Sequence, residues 1–275
     1  MKRIANILLI LIIALELLLF FYWQSNKIVI HIEAIKVNQL SDFFDSLKVV
    51  QISDLHIKRL GNRERELVSL IQKLDSHLIF ITGDFVSNNQ GIDPALKVVE
   101  RIAQGRKVIA VLGNNDHEFR SQKIDTEKLV QGLEKTGILV LLNQSIKLKR
   151  GADSVFVIGL DDNYLWKDDF FKATADLPSK GERILLAHSP DIVTKVKLVN
   201  IDLVLSGHTH GGQIRLPMIG AVYTNRSCNS VFKFISGLYQ YQNTKLYVNR
   251  GIGVSFFPVR FLCRPEITLF KFEKE

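Results

Sequence analysis

Cysteine is scarce. The chain has two in 275 residues, Cys228 and Cys263, without a C-x-x-C spacing, so no thiolate metal site or redox pair is indicated, and the two are left to pair or to stay free. Proline is sparse as well, at six residues, and no Pro- or Ser-rich stretch is long enough to divide the chain. No repeat at solenoid period is present. Charge of one sign never gathers into a block: Lys and Arg number 36 against 28 acids, for a net +8, but they are scattered and accompany no nucleic-acid-binding motif, so no nucleic acid partner is expected. The basic excess suits anionic lipid headgroups or a phosphorylated substrate. With 47% hydrophobic and 23% charged residues, the chain is neither disordered nor of low complexity. Its length allows one globular unit with a full core and an N-terminal appendage. Oligomeric state is not legible here.

The appendage is the run Ile4–Trp23, IANILLILIIALELLLFFYW, preceded by Lys2 and Arg3. About 20 apolar residues cross a bilayer as a helix, and Tyr22 and Trp23 fall where an interfacial aromatic anchor belongs. A cleaved signal peptide would have a shorter apolar core and a small-x-small site, so an uncleaved anchor in the cell (inner) membrane is expected. Glu16 interrupts the run at a cost of about 2.5–3.5 kcal/mol if central, which the surrounding Leu and Ile outweigh. Lys2 and Arg3 favour a cytoplasmic N-terminus, but Lys27 and Lys36 follow soon after, so the side of the membrane stays open. The expected organisation is an anchor over 1–26, a lead-in strand and linker over 27–47, and the globular domain over 48–275.

Within that domain five apolar runs rich in Val, Ile and Leu (KVVQIS, LIFIT, KVIAVL, RILLA, IDLVLS) each stop at a polar cluster, as buried strands ending in loops do. The clusters hold Asp54 and His56 (ISDLH), Asp84 (ITGDF), Asn114 (VLGNND), His188 (LLAHSP), and His208 and His210 (LSGHTHGG). At the carboxyl edge of an open α/β sheet, residues this far apart in sequence converge. Asp54 and His56, like His208 and His210, are two apart, a spacing that lets an extended segment point both side chains one way. Gly83, Gly113 and Gly207 immediately precede ligand candidates, where a residue without Cβ allows a sharp turn. Helical spacing appears in REREL to IQKL, in DPALKVVERIA and in TEKLVQGLEKTG, and SIKLKRGADSVFVIGL reads as a hairpin, so the second half should contribute mixed pairing.

The order and spelling of these clusters resemble the calcineurin-like metallophosphoesterases, whose pattern runs D-x-H, G-D, G-N-H-D/E, H, G-H-x-H. LAHSPDI, SGHTHGGQIRLP and CRPEITL are similar to their membrane-associated bacterial branch. The resemblance runs from about Lys48 to the C-terminus. It implies a four-layer αββα sandwich, an α/β fold, carrying two divalent metal ions. Asp54, His56, Asp84 and His210 would hold one ion; Asp84, Asn114, His188 and His208 would hold the other, with Asp84 bridging. Imidazole and carboxylate donors without thiolate favour manganese, with iron or zinc as alternatives, over magnesium alone. Such a pair can activate water, neutralise phosphoryl oxygens and align the displacement.

At one position the chain departs from the pattern. G-N-H-D/E reads Gly113, Asn114, Asn115, Asp116, and the replaced His is the one to which the resemblance assigns protonation of the leaving group. An amide cannot act as a general acid at neutral pH. Either His117 takes over, or the reaction does not need the proton, as when a pyrophosphate expels a phosphate monoester. UDP-2,3-diacylglucosamine pyrophosphatases of the lipid A pathway are similar on this point, which makes hydrolysis of that phosphorylated, lipid-linked substrate to UMP and a lipid monophosphate the leading expectation, a broad-specificity membrane-associated phosphodiesterase the alternative, and a metal-poor binding scaffold, which would have lost ligand residues that this chain keeps, the remote one. Arg215 and Arg250 are candidates for clamping phosphate oxygens. Phe256, Phe257 and Phe261, beside Arg260, read either as core or as a seat for an acyl chain.

Overall fold

A computed structural model describes residues 2–37, 43–117, 124–198, 200–222, 233–255 and 258–273. Cys228, Phe256 and Phe257 lie outside the described residues; Cys263 is buried with a free thiol. The helices are α1 (Lys2–Asn26), α2 (Asn62–Leu74), α3 (Ile92–Ala103), α4 (Thr126–Lys135), α5 (Phe170–Thr174) and α6 (Ile192–Lys195). The strands are β1 (Val29–Lys36), β2 (Val49–Ile52), β3 (Leu78–Thr82), β4 (Lys107–Val111), β5 (Leu139–Val140), β6 (Gln144–Arg150), β7 (Asp153–Gly159), β8 (Glu182–Leu186), β9 (Leu203–Ser206), β10 (Arg215–Leu216), β11 (Gly220–Ala221), β12 (Gly237–Tyr241), β13 (Thr244–Val248) and β14 (Glu266–Glu273).

Two six-stranded sheets form, ordered β1-β14-β2-β3-β4-β5 and β12-β13-β9-β8-β7-β6. The period-2 alternation of their apolar residues assigns each strand two different neighbours. In the first sheet Val50, Ile52, Ile79, Ile81, Val108 and Ala110 pack with Leu67, Ile71, Val98, Ile102, Leu129 and Leu133 of α2, α3 and α4. Their chain neighbours Val49, Phe80, Ile109 and Val111 face Val155, Val157, Ile184, Leu186, Leu203, Leu205 and Tyr247 of the second sheet. The far side of that sheet buries Leu185, Val204 and Leu246 with Ala173 of α5 and Ile192 and Val193 of α6. Three apolar layers between four layers of secondary structure make the αββα sandwich.

The helices use local signals. The Glu64 carboxylate accepts the Gly61 N–H at 2.8 Å at the start of α2, Pro94 lies in the first turn of α3, and Asp125 caps α4 by accepting from the Lys128 amide at 2.9 Å. Pairing in the second sheet is mixed: β6–β7 and β12–β13 are antiparallel, whereas β7–β8, β8–β9 and β9–β13 are parallel.

Helix α1 is long and apolar enough to cross a membrane over Arg3–Asn26, and Glu16 is exposed on it. Its last turn is joined to the domain. Gln24 and Ser25 are buried, the Ser25 hydroxyl accepts the Arg260 amide at 2.7 Å, and the rings of Phe20 and Phe21 lie 6.2 and 5.5 Å from that of Phe261. Phe261 therefore packs on the foot of α1. A chain beginning at Gln24 should fold as a soluble domain, whereas Ser25→Ala in it leaves the buried Arg260 N–H without its acceptor and should cost about 1–3 kcal/mol in urea unfolding.

Candidate metal centre

Five strands, β2, β3, β4, β8 and β9, end within a few residues of a ligand candidate. Because β2, β3 and β4 run parallel, as do β8 and β9, the polar loops meet at one edge of the sandwich. There Asp54, His56, Asp84, Asn114, His188, His208 and His210 are all buried. The His56 and His210 Nε2 atoms lie 3.0 Å apart, and His210 Nε2 is 3.4 Å from Asp54 Oδ1. Asp84 Oδ2 stands 3.3 Å from His56 Nε2 and 3.3 Å from His188 Nε2, the position a bridging carboxylate would take.

Two donor groups emerge among the described residues, Asp54–His56–His210 and Asp54–Asp84–His188, each with ligand atoms within 4.8 Å of one another. Asn114 and His208 fall outside these two groups, yet among the described residues the Asn114 amide oxygen and His208 Nε2 are buried without a hydrogen-bond partner. Orphaned lone pairs in a dry cluster of imidazoles and carboxylates are what divalent cations would satisfy, so the residues present fit two such ions.

The local backbone differs from the extended geometry expected for the two-apart pairs. Asp54, His56, Asp84, His208 and His210 all have positive φ, at 50°, 46°, 57°, 68° and 52°. Non-glycine residues hold such angles only where the surroundings over-determine them, at about 1–3 kcal/mol each. The turns that follow the strands, not strand alternation, aim these side chains. The glycines also need a second account. Gly83 has φ +87°, but at Gly113 and Gly207 the constraint is space: a Cβ would lie 2.3 Å from Asp84 Oδ1 at the first and 1.9 Å from Ser53 Oγ at the second.

The supporting contacts are mostly buried. The Asp54 carboxylate accepts the His208 amide at 2.9 Å, and Thr82 O is 2.7 Å from His188 Nδ1, leaving Nε2 to face Asp84. Asp116 accepts the amides of Phe85 (2.7 Å) and Gly113 (3.0 Å), tying the β3 and β4 loops together. Burial and the Asp84 charge push the Asp116 carboxyl up to about 7.

Burial likewise raises the Asp54 carboxyl. It opposes the Asp84 charge too, but His188 and His56 hold that carboxyl well below the usual range. In turn Asp84, Asp54 and Asp162 overcome burial and hold His188 well above the usual imidazole range. Burial and the His188 charge push His208 down to about 3, and burial with His56 and Arg260 holds His210 low.

Asn115 and His117 occupy the same loop. The Asn115 backbone and side-chain N–H groups donate to Asp84 Oδ1 (2.8 Å) and Oδ2 (2.7 Å). His117 is buried, with Nε2 2.6 Å from Asp161 Oδ1. Asp161 was not anticipated from sequence, although it follows the apolar strand β7 at this same edge and so carried the signal used for the other clusters.

The two arginine candidates are engaged within the protein. Arg215 Nη1 donates to Gly211 O (3.2 Å) and Ser236 Oγ (3.1 Å), bracing the loop that carries His210. Arg250 Nε lies 3.3 Å from buried Glu266. Arg260 is fully buried; it donates to carbonyls of Arg250 (2.8 Å), Gly253 (2.6 Å) and Cys263 (3.2 Å), and its Nη2 is 3.3 Å from His210 Nδ1.

A family model described as calcineurin-like phosphoesterase matches residues 47–212, a span that contains all seven ligand candidates. The metallophosphoesterase YkuE of Bacillus subtilis (strain 168) is 31% identical over 259 residues, 90% of this chain and 87% of that protein. Phosphodiesterase YaeI of Escherichia coli (strain K12) is 28% identical, over 81% of this chain and 80% of its own length. The UDP-2,3-diacylglucosamine pyrophosphatase LpxG of Chlamydia trachomatis is 27% identical, over 82% and 83%.

Gly207→Ala tests the site without removing a ligand. Its Cβ would fall 2.4 Å from Asp54 Oδ2, so the variant should keep its circular dichroism spectrum but lose bound metal, measured by mass spectrometry after gel filtration.

Proposed function

The chain belongs to the calcineurin-like phosphoesterase family, a metal-dependent phosphoester hydrolase, and on that premise we propose that it is a membrane-held two-metal enzyme that cleaves the pyrophosphate of a nucleotide-linked lipid, with UDP-2,3-diacylglucosamine hydrolysed to UMP and the lipid monophosphate. The observation that carries this reading is Asn115. Its amide has no acidic proton and is occupied by Asp84, so it cannot protonate a leaving oxygen. A departing phosphate monoester needs no such help.

Asp54, His56, Asp84 and His210 would hold one cation, and Asp84, Asn114, His188 and His208 the other; manganese is our choice, with iron or zinc as alternatives. When bound, two such ions supply an activated water at neutral pH and neutralise phosphoryl charge. Asp84 would contribute the shared negative charge that two close cations need, and Asn115 fixes its orientation from both oxygens. Arg215 and Arg250, each braced by its protein partner, would be the phosphate contacts. Helix α1 supports a place in the cell (inner) membrane.

One geometric fact favours a second reading, a broader phosphodiesterase. The short His117–Asp161 contact has the form of an imidazole oriented by a carboxylate, as general acids often are.

Asp84→Ala should lower turnover by at least about three orders of magnitude, on the order of 4 kcal/mol of barrier, together with the metal content; normal turnover would refute the site. His117→Ala discriminates the substrates. On a nucleotide-lipid pyrophosphate it should cost little, and on an alkyl phosphodiester with the same acyl groups about 10² to 10⁴, both assayed at saturating metal. Equal large losses with metal content unchanged would remove the leaving-group argument.

A further inference from the structure

The foot of α1 and the metal-ligand edge coincide. Strand β1 runs parallel to β14 with Val29 opposite Glu266, and β14 runs antiparallel to β2 with Thr268 opposite Gln51. The start of β1 therefore lies at the carboxyl end of β2, from which Asp54 follows. Helix α1 leaves the domain at that edge, three residues before β1 begins.

A second apolar element is strapped to the same place. The chain passes from His210 into the β10–β11 hairpin, whose base is tied to Phe261: the Arg215 amide donates to Phe261 O (2.9 Å) and the Phe261 amide to Gln213 O (3.0 Å). Phe261 in turn rests against Phe20 and Phe21 of α1. At the tip, Leu216, Pro217, Met218 and Ile219 are consecutive and exposed, Met218 completely and Ile219 at 72%. Leu262, beside Phe261, is exposed too.

Among the described residues nothing buries this run, and water is its least favourable surrounding. Cations flank it. Arg264 lies over the Trp23 ring at 5.0 Å and donates to Lys27 O at 3.1 Å, and Arg215 begins the hairpin. An apolar tip strapped beside a helix fit to span a bilayer, with Arg215 at the hairpin base and Arg264 at the foot of the helix, matches a headgroup layer over an acyl interior.

We propose that the β10–β11 hairpin dips its Leu216–Ile219 tip into the bilayer that receives α1, so that the metal-ligand edge faces the headgroup layer and takes phosphoesters presented by lipids of that membrane. The lipid presentation rests on the phosphohydrolase reading above; the insertion of the hairpin does not.

The test uses the full chain in vesicles of phosphatidylethanolamine and phosphatidylglycerol doped with doxyl-labelled phosphatidylcholine. With Cys228 replaced by Ser, an environment-sensitive probe is placed at Met218→Cys or, as a control, at Ala152→Cys, an exposed position in the β6–β7 turn at the opposite edge. The probe at 218 should be quenched by the doxyl lipid and shielded from aqueous iodide, and the probe at 152 the reverse. Equal behaviour at the two positions would overturn the proposal, including the case in which the tip instead docks on a protein.

A second variant, Met218→Asp with Ile219→Asp, should keep turnover of soluble bis(p-nitrophenyl) phosphate within about twofold but lose about tenfold or more on UDP-2,3-diacylglucosamine held in the vesicles. Equal losses on both would place the hairpin in the site and refute the membrane role. If the unaltered protein leaves the UDP-lipid intact, the substrate reading fails while the quenching still decides the hairpin.

Discussion

Two carboxylates, four imidazoles and an amide are buried together at one edge of the sandwich, and much of the surrounding structure answers to the cost of keeping them there. Without cations the cluster balances itself poorly. His188 is driven toward its charged form, whereas His208 and His210 are driven toward neutrality, and among the described residues Asn114 Oδ1 and His208 Nε2 find no hydrogen-bond partner. Dry, unpaired polar groups are costly, so the cluster persists only because the loops carrying it are rigidly tied. Asp116 joins two of them by accepting their amides. Asp54 joins a third by accepting from His208. The positive φ angles at five of the seven candidates are strain held in place by these ties and by the packed strands beneath.

The same edge carries the attachment of α1, and Arg260 is the junction. Its backbone amide is bound by Ser25 at the foot of the helix, while its guanidinium approaches the ring and carbonyl of His210. A buried guanidinium satisfied chiefly by carbonyls is stiff, because each donor is fixed by backbone that is itself packed. The last turn of α1 is therefore built into the shell around a ligand candidate. That arrangement gives a physical reason for the foot of α1 to belong to the same folded unit as the ligand candidates.

Much of this was legible in the sequence. Apolar runs that stop at Asp, Asn or His marked the strands and their carboxyl ends, and the order of the clusters identified the ligand candidates, because strand periodicity and chain order are local properties. The contacts that remained hidden are long-range. Arg260 sits in an aromatic stretch that reads as apolar, and nothing in FFPVRF indicates that its guanidinium turns inward to His210. Asp161 was visible as an acid after a strand, but its pairing with His117 joins residues 44 apart. Gly113 and Gly207 were recognisable as special, though the reason lies in the side chains pressed against them and not in their own torsions.

The departure at Asn115 bears on how one site can be retuned. Its N–H groups bind both oxygens of Asp84, so the substitution that removes a proton donor also adds a restraint on the carboxylate placed between the two donor groups. If that oxygen bridges two cations, holding it steady would favour a displacement limited by alignment and charge neutralisation, in which the leaving group departs unaided. A reaction limited by proton delivery would gain nothing from that restraint. It would depend instead on whether the imidazole of His117, buried and already engaged by Asp161, can reach the departing oxygen, so the two chemistries make opposite demands on the same short loop.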